Sequence, residues 1–206
     1  MVKGVPDIHI QNPLKENQFY LGMRQEGKTN LLCYHLSLTR CPFTLWDEIG
    51  AVSRILKPLN PKTQRIINPN FYTTDKTKKR SMFHQICQRV MLEGNQLFIV
   101  DEVHQYCTKR TLDPELEKVV TLGGNKNIGF IGTTQTVRQV HNTILGNTRH
   151  FWIMRTFLKP DVNWISFFIP KETVLMSKDL PPHGYIYYPL GGKALLGSAV
   201  KKMSLT

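Results

Sequence analysis

Residues 22–29 read Gly-Met-Arg-Gln-Glu-Gly-Lys-Thr, with a glycine at each end of four variable positions and then Lys28 and Thr29. Binding a phosphate in a loop requires the backbone to turn tightly around the anion and aim successive N–H groups at it, in conformations that side chains obstruct. Gly22 and Gly27 stand where that freedom is needed, Met23, Arg24, Gln25 and Glu26 form the body of the loop, and Asn30 continues beyond it. Lys28 is placed to neutralise the β- and γ-phosphate oxygens of a nucleoside triphosphate, Thr29 to ligate Mg²⁺, and the following helix to add its N-terminal dipole. Further on, Asp101-Glu102 follow the apolar run Gln96–Val100. Asp101 is expected to hold Mg²⁺ through water, and Glu102 to polarise the water that attacks the γ-phosphate. Gln135 follows another apolar run; it is either a polar strand cap or an amide that hydrogen-bonds the γ-phosphate or the attacking water.

These groups can meet only if the elements carrying them end at a common edge. Asn17–Leu21 predicts a short strand, 22–27 a loop, and 28–40 a helix with Leu31, Leu32, Leu36 and Leu38 as its apolar positions. Phe43–Trp46 predicts a second strand ending on Asp47-Glu48, and 66–72 a third. The polar, mainly basic stretch 73–80 reads as an exposed turn leading into a helix over 82–91, and Gln96–Val100 as a strand buried on both faces. A helix is expected over 112–122, started by Asp113-Pro114 and stopped by Gly123-Gly124. A strand over 128–132 runs into Thr133-Thr134-Gln135, a helix reaches Leu145, and 151–154 forms another strand. Helices over 162–168 and 173–176 and a hairpin around 185–188, with Gly191-Gly192 in its turn, close the chain.

Strands alternating with helices predict a single α/β domain over 1–206 built on a mostly parallel sheet flanked by helices, with ligands bound beyond the carboxyl ends of the strands. Residues 1–16 form an irregular arm in this reading, and 156–206 belong to the same domain.

Lys and Arg outnumber Asp and Glu by 27 to 15, a formal net charge of +12 in 206 residues. That excess suits a polyanionic partner, or simply a cationic solubilising surface. No apolar run approaches the ~18–20 residues of a membrane span, and Met1-Val-Lys-Gly-Val-Pro6 lacks the apolar core of a secretory signal, so an unsecreted protein is expected. Cys33, Cys41, Cys87 and Cys107 are widely spaced without a C-x-x-C pair, which argues against a disulfide framework or a zinc site.

The combination of a P-loop, a hydrophobic strand ending in Asp101-Glu102, then Thr133-Thr134-Gln135, Arg138 and Asn147 resembles the FtsK–HerA superfamily of DNA-pumping P-loop ATPases. The resemblance runs from Gly22 to about Tyr188, and the end is similar in particular to the compact genome-packaging ATPases of internal-membrane icosahedral viruses, whose closing helix and strand resemble 161–170 and 183–188. The resemblance implies ATP and Mg²⁺ as cofactors and a homo-oligomeric ring, usually of five or six subunits, that threads double-stranded DNA. It also implies a capsid vertex or portal as partner, and a location in the host cytoplasm or the virion. Gln135 becomes the expected sensor. An alternative is an assembly and export ATPase similar to the phage proteins related to zonular occludens toxin, and a small-molecule kinase is a third reading.

An arginine finger is less plainly placed. Residues 23–29 also resemble the phosphate loop of terminases, in which an Arg lies four residues before the Lys; here it is Arg24, which would act from within its own subunit. The superfamily often carries a trans-acting Arg about eleven residues before the sensor Gln, where this chain has Gly124-Asn125-Lys126. Either Lys126 substitutes, or Arg138, Arg149 or Arg155 reaches a neighbour's site, or Arg24 acts in cis. Arg24 ranks first and Arg149 second. For non-specific DNA contact the candidates are Lys76, Lys78, Lys79 and Arg80.

Overall fold

The computed structural model describes residues 13–156 and 158–198; most of the expected arm (1–12) and the end of the closing segment (199–206) lie outside the described residues. Eight strands share one sheet: β1 (Asn17–Leu21), β2 (Phe43–Trp46), β3 (Gln64–Ile67), β4 (Gln96–Val100), β5 (Ile128–Thr134), β6 (Thr148–Ile153), β7 (Tyr185–Pro189) and β8 (Leu195–Gly197). Their order is β3-β2-β4-β5-β1-β6-β7-β8. The first six run parallel, and β7 and β8 add an antiparallel edge.

The central strands are apolar on both faces because both faces are covered. Phe19, Leu21, Phe98, Val100, Phe130 and Phe151 point to one side. There they meet side chains from α2 (Lys76–Glu93), α3 (Pro114–Leu122), α4 (Asn142–Gly146), α5 (Lys159–Ile165) and α6 (Lys171–Met176). Tyr20, Leu97, Ile99, Ile131 and Trp152 alternate with them and meet α1 (Lys28–Leu38) together with Val52 and Leu56 on the other side. This second layer carries Tyr20, whose ring stacks on Trp152 and whose hydroxyl lies 2.6 Å from His35 Nδ1.

The register fixes the functional edge. Leu21 pairs with Thr134 and with Ile153, and Val100 pairs with Gly132, so β1, β4, β5 and β6 all end on the same side. β5 lies between β1 and β4, which separates their ends by two interstrand spacings, about 10 Å. A triphosphate bound at the end of β1 can span that gap.

Several element limits differ from the sequence reading. The basic stretch at 73–80 is not an exposed turn: α2 already starts at Lys76, because the Asp75 carboxylate accepts from Thr77 N (2.7 Å) and Lys78 N (3.3 Å) and so caps the helix. The third strand is Gln64–Ile67, two residues earlier than expected at its start, and it is ended by a 3-10 turn at Pro69–Phe71. Between Gln135 and Leu145 the expected helix is divided into a 3-10 turn (Val137–Gln139) and the short α4. β6 starts at Thr148, before the apolar run that marked it. No helix among the described residues is long and apolar enough to cross a membrane.

Candidate active site

The loop after β1 is anchored by its neighbours. Met154 N donates to Leu21 O (2.8 Å) and Met23 N to Arg155 O (2.9 Å), so the chain leaves β1 alongside the end of β6. Gly22 packs against that strand end so closely that a Cβ would lie 2.6 Å from Met154 Cβ. Gly27 has φ 95°, in the region that side chains disfavour, and Gln25 accepts a positive φ of 65°. Together these turns bring α1 in with Lys28 as its first residue.

Lys28 Nζ donates to Gly22 O (2.6 Å) and Met23 O (2.8 Å) of its own loop. Its pKa is lowered: burial disfavours the ammonium, against opposing attraction from Glu102, Asp101 and Glu26. The loop is also tied to β6 by Arg155 Nε, which bonds Glu26 Oε2 at 2.9 Å.

At the end of β4, Asp101 is 5% exposed and Asp101 Oδ1 accepts from Thr133 Oγ1 at 2.7 Å. Burial pushes its pKa up to about 7, aided by the charges of Glu102 and Asp47 and opposed by the Thr133 hydrogen bond and Lys28. A buried carboxylate in that state is short of compensating positive charge. Its oxygen, with the Thr29 hydroxyl on the same cleft, is a hard donor set of the kind Mg²⁺ takes. No group of three or more His, Cys, Asp or Glu side chains among the described residues forms a cation site by itself. A Mg²⁺ here would complete its shell with phosphate oxygens and water, as that ion commonly does.

Glu102 sits in a left-handed turn (φ 52°) and is nearly buried. Gln135 holds it twice, through Nε2 to Oε1 (2.6 Å) and backbone N to Oε2 (3.2 Å). His104 Nδ1 lies 3.2 Å from the same Oε2 and 3.0 Å from Thr134 Oγ1. Burial raises the Glu102 pKa, but hydrogen bonds from His104 and Gln135 and the Lys28 charge outweigh it, leaving the carboxyl below its ordinary range. It is therefore ionised at neutral pH while committed to several donors.

These ends enclose a cleft of about 580 Å³, into which Arg24, Lys28, Thr29, Asp101, Glu102 and Gln135 all face. Arg24 is exposed at its wall. Arg149 stands elsewhere: Thr148 pairs with Asn17 at the amino end of β1, so Arg149 is exposed at the opposite edge of the sheet. Lys126 is likewise at that edge, just before β5. Arg155 belongs to the carboxyl edge but is paired with Glu26, and Arg138 is exposed just beyond Gln135. Of the α2 cluster, Lys79 is held by Glu48 (3.1 Å) and Asn70 (2.6 Å), while Lys76, Lys78 and Arg80 remain exposed.

Three cleft or near-cleft residues were not anticipated as functional. Arg54 and His183 line the cleft, the latter in a left-handed conformation (φ 60°), and His104 contacts Glu102. His183 lies in a Pro-rich turn far along the chain from Gly27, and nothing in local spacing links the two.

The sequence matches no family model and no curated protein. Solved structures are more informative. The genome-packaging NTPase B204 from Sulfolobus turreted icosahedral virus 2, in complex with sulfate, superposes with a TM-score of 0.75 at 14% identity, covering 92% of this chain and 98% of that one. The N-terminal domain of zonular occludens toxin from Neisseria meningitidis gives 0.58 at 11% identity, covering 92% and 97%. The cytoplasmic domain of the Thermomonospora curvata type VII secretion ATPase EccC gives 0.61 at 14%, covering 91% of this chain and 25% of that one. The chain has the fold of the FtsK–HerA-type P-loop ATPases. Gly22–Thr29 joins β1 to the start of α1, and Asp101-Glu102 follows the strand two places away in the sheet.

Proposed function

We propose that the protein is a genome-packaging ATPase, coupling Mg²⁺-dependent ATP hydrolysis to translocation of double-stranded DNA into a capsid. The observation that carries this reading is the meeting in one cleft of Lys28 and Thr29 from the P-loop, Gln135 from β5 and Asp101-Glu102 from β4. The likeness to B204 over nearly its whole length supports the packaging branch, and the net charge of +12 suits a polyanionic track.

In this mechanism the backbone N–H groups of the P-loop and the start of α1 receive the triphosphate, and Lys28 exchanges its two loop carbonyls for β- and γ-phosphate oxygens. Thr29 and, through water, Asp101 would hold Mg²⁺, which supplies charge stabilisation on those oxygens. Glu102 accepts the proton of the attacking water; Gln135 and His104 occupy most of its lone-pair positions, which restrains it as a base. Gln135 then offers its amide to the γ-phosphate or the water, so the Glu102–Gln135 contact reports the state of the site. Arg24 is the cation free to lean over the γ-phosphate in cis; Arg149, at the opposite edge, could act only on a neighbouring subunit of a ring.

The test is ATP turnover with and without long double-stranded DNA across a salt series. Stimulation that fades as salt rises is the expected result. ATPase activity indifferent to DNA at low salt would remove the translocase reading and favour the assembly and export alternative, to which the likeness to the N-terminal domain of zonular occludens toxin lends support.

A further inference from the structure

Adjoining the nucleotide cleft, the turns that follow β4 and β5 enclose a second, open cavity of about 570 Å³. Lys109, Arg110 and Arg138 line it together with His104, Thr108 and Gln139, and no carboxylate does. None of the three cations is ion-paired with a described residue. Three cations around one groove with no carboxylate in its lining concentrate a positive field that an anion from outside would neutralise.

The groove is built rather than accidental. Lys109 and Arg110 occupy the tip of a turn closed by Thr108 N to Thr111 O (2.7 Å) and by a bridge between Cys107 and Leu112. Inside the turn, Arg110 N and Thr111 N both donate to Thr108 Oγ1 (3.2 and 3.0 Å). Lys109 Nζ rests 4.2 Å from the centre of the Trp164 ring, and Arg138 is fixed by its backbone N donating to the buried Asp161 (2.9 Å). The Trp164 face holds the charged end of Lys109 beforehand, which reduces the side-chain entropy it loses when an anion binds, while the backbone contacts fix where the Arg110 and Arg138 side chains start.

We propose that this groove takes the phosphate backbone of the DNA duplex and that His104 passes its occupancy to Glu102. The inference rests on the translocase reading and locates its DNA contact. Cations without base-reading partners suit a backbone that must be held regardless of sequence. His104 belongs to both sites: it lines the groove, and its Nδ1 lies 3.2 Å from Glu102 Oε2. A phosphate that draws the imidazole toward Arg110 and Arg138 removes one donor from Glu102. With His104 gone, Oε2 keeps only the Gln135 backbone N–H and has a lone pair open to the attacking water. DNA in the groove thus turns a restrained base into an active one. His104 acts here as a positioning residue.

The probe is a linear duplex of mixed sequence, titrated against the full chain over a potassium chloride series. Lys109→Ala combined with Arg110→Ala should lower affinity and flatten the plot of log K against log salt by about two. Both side chains are exposed, so an unchanged melting temperature checks the fold; Arg110→Glu, a charge reversal at the turn tip, should weaken binding as well. Wild-type affinity and slope in both variants would overturn the groove, whereas a wild-type chain that ignores the duplex at low salt would remove the translocase reading itself. For the coupling, His104→Ala should raise ATP turnover without DNA and bring the ratio of stimulated to unstimulated turnover toward one, with duplex affinity retained. His104→Gln keeps a donor for Glu102 and should restore part of that ratio. A stimulation ratio equal to wild type in His104→Ala, or a proportional fall with and without DNA, would overturn the role of His104.

Discussion

β4 has carboxylates at both ends, Glu93 shortly before it and Asp101 directly after, and the fold treats them in opposite ways. Glu93 is gripped by Arg65, Arg89 (2.7 Å) and Gln96 (3.2 Å), and Arg65 above all pulls its pKa down to about 2. Asp101 accepts from the Thr133 hydroxyl at 2.7 Å and forms no salt bridge with a described residue, and burial pushes it up to about 7. The amino edge closes its charge balance with protein groups, through a network that also ties Arg65 to Thr44 (2.9 Å). At the carboxyl edge the balance is left open, and a phosphate-bound cation is what would close it. Incomplete compensation within an ordered site is thus the mark that separates a place for chemistry from a structural ion pair.

The largest effect should come from breaking the carboxyl edge at its base. Glu102→Gln keeps the shape and a hydrogen-bonding oxygen but cannot take a proton, so turnover should fall about 10²- to 10⁴-fold with nucleotide affinity retained. Lys28→Ala should instead abolish nucleotide binding. Phosphate release and titration with a fluorescent ATP analogue measure the two quantities separately. Wild-type turnover in Glu102→Gln would mean that another group takes the proton.

Asp101 sharpens the contrast through stability. Its folded pKa lies above its unfolded value of 3.8, so it stabilises the fold only when protonated, and that contribution is lost as pH rises through about 7. Without nucleotide or divalent cations, Asp101→Asn should therefore be more stable than wild type at pH 8, by up to about 4 kcal/mol, and equal to it near pH 3.5. Urea unfolding at the two pH values in a chelating buffer gives the difference. A wild-type protein whose stability does not fall between them, relative to the variant, would show that Asp101 ionises at no cost.

Much of this edge was legible beforehand, and its particular failures are instructive. That 22–29, Asp101-Glu102 and Gln135 lie at strand ends is readable because each joins a buried strand to a polar end, a pattern set by local hydrophobicity and backbone needs. The start of α2 was misread because the charge of 76–80 outweighed the Asp75 cap, although Asp75 is itself a helix-start signal. The helix expected before Leu145 is split because His141 caps a new turn, its Nδ1 accepting from Thr143 N at 3.3 Å, an arrangement weakly marked by residue type. His104 reaches Glu102 from only two residues along the chain, but a histidine there carries no signal of its own; Arg54 and His183 were illegible as site residues for another reason. Their positions depend on which strand ends the sheet places side by side, and strand order is a long-range property that no local spacing encodes. The same topology separates Arg149 from the cleft of its own subunit, which residue type alone does not reveal.

The smallest effect belongs to the amino edge. Glu93 has a folded pKa below its unfolded 4.5, so its ion pairs stabilise the fold above that value and lose their contribution as pH falls toward about 2. This is the opposite slope to Asp101, on the same strand. The side chain is 35% exposed, so solvent screens much of the interaction and the size of the shift overstates its worth. Glu93→Gln should cost at most about 1 kcal/mol at neutral pH, less at high salt, and leave ATP turnover untouched. Arg65 keeps Thr44 and Gln96 as partners in the variant, so its guanidinium is not left without acceptors. Unfolding measured at pH 7 and pH 3 in low and high salt would reveal the effect. If Glu93→Gln instead impaired turnover as strongly as a change at Asp101, the two ends of β4 would not be functionally distinct, and charge compensation would no longer separate the cleft edge from the opposite one.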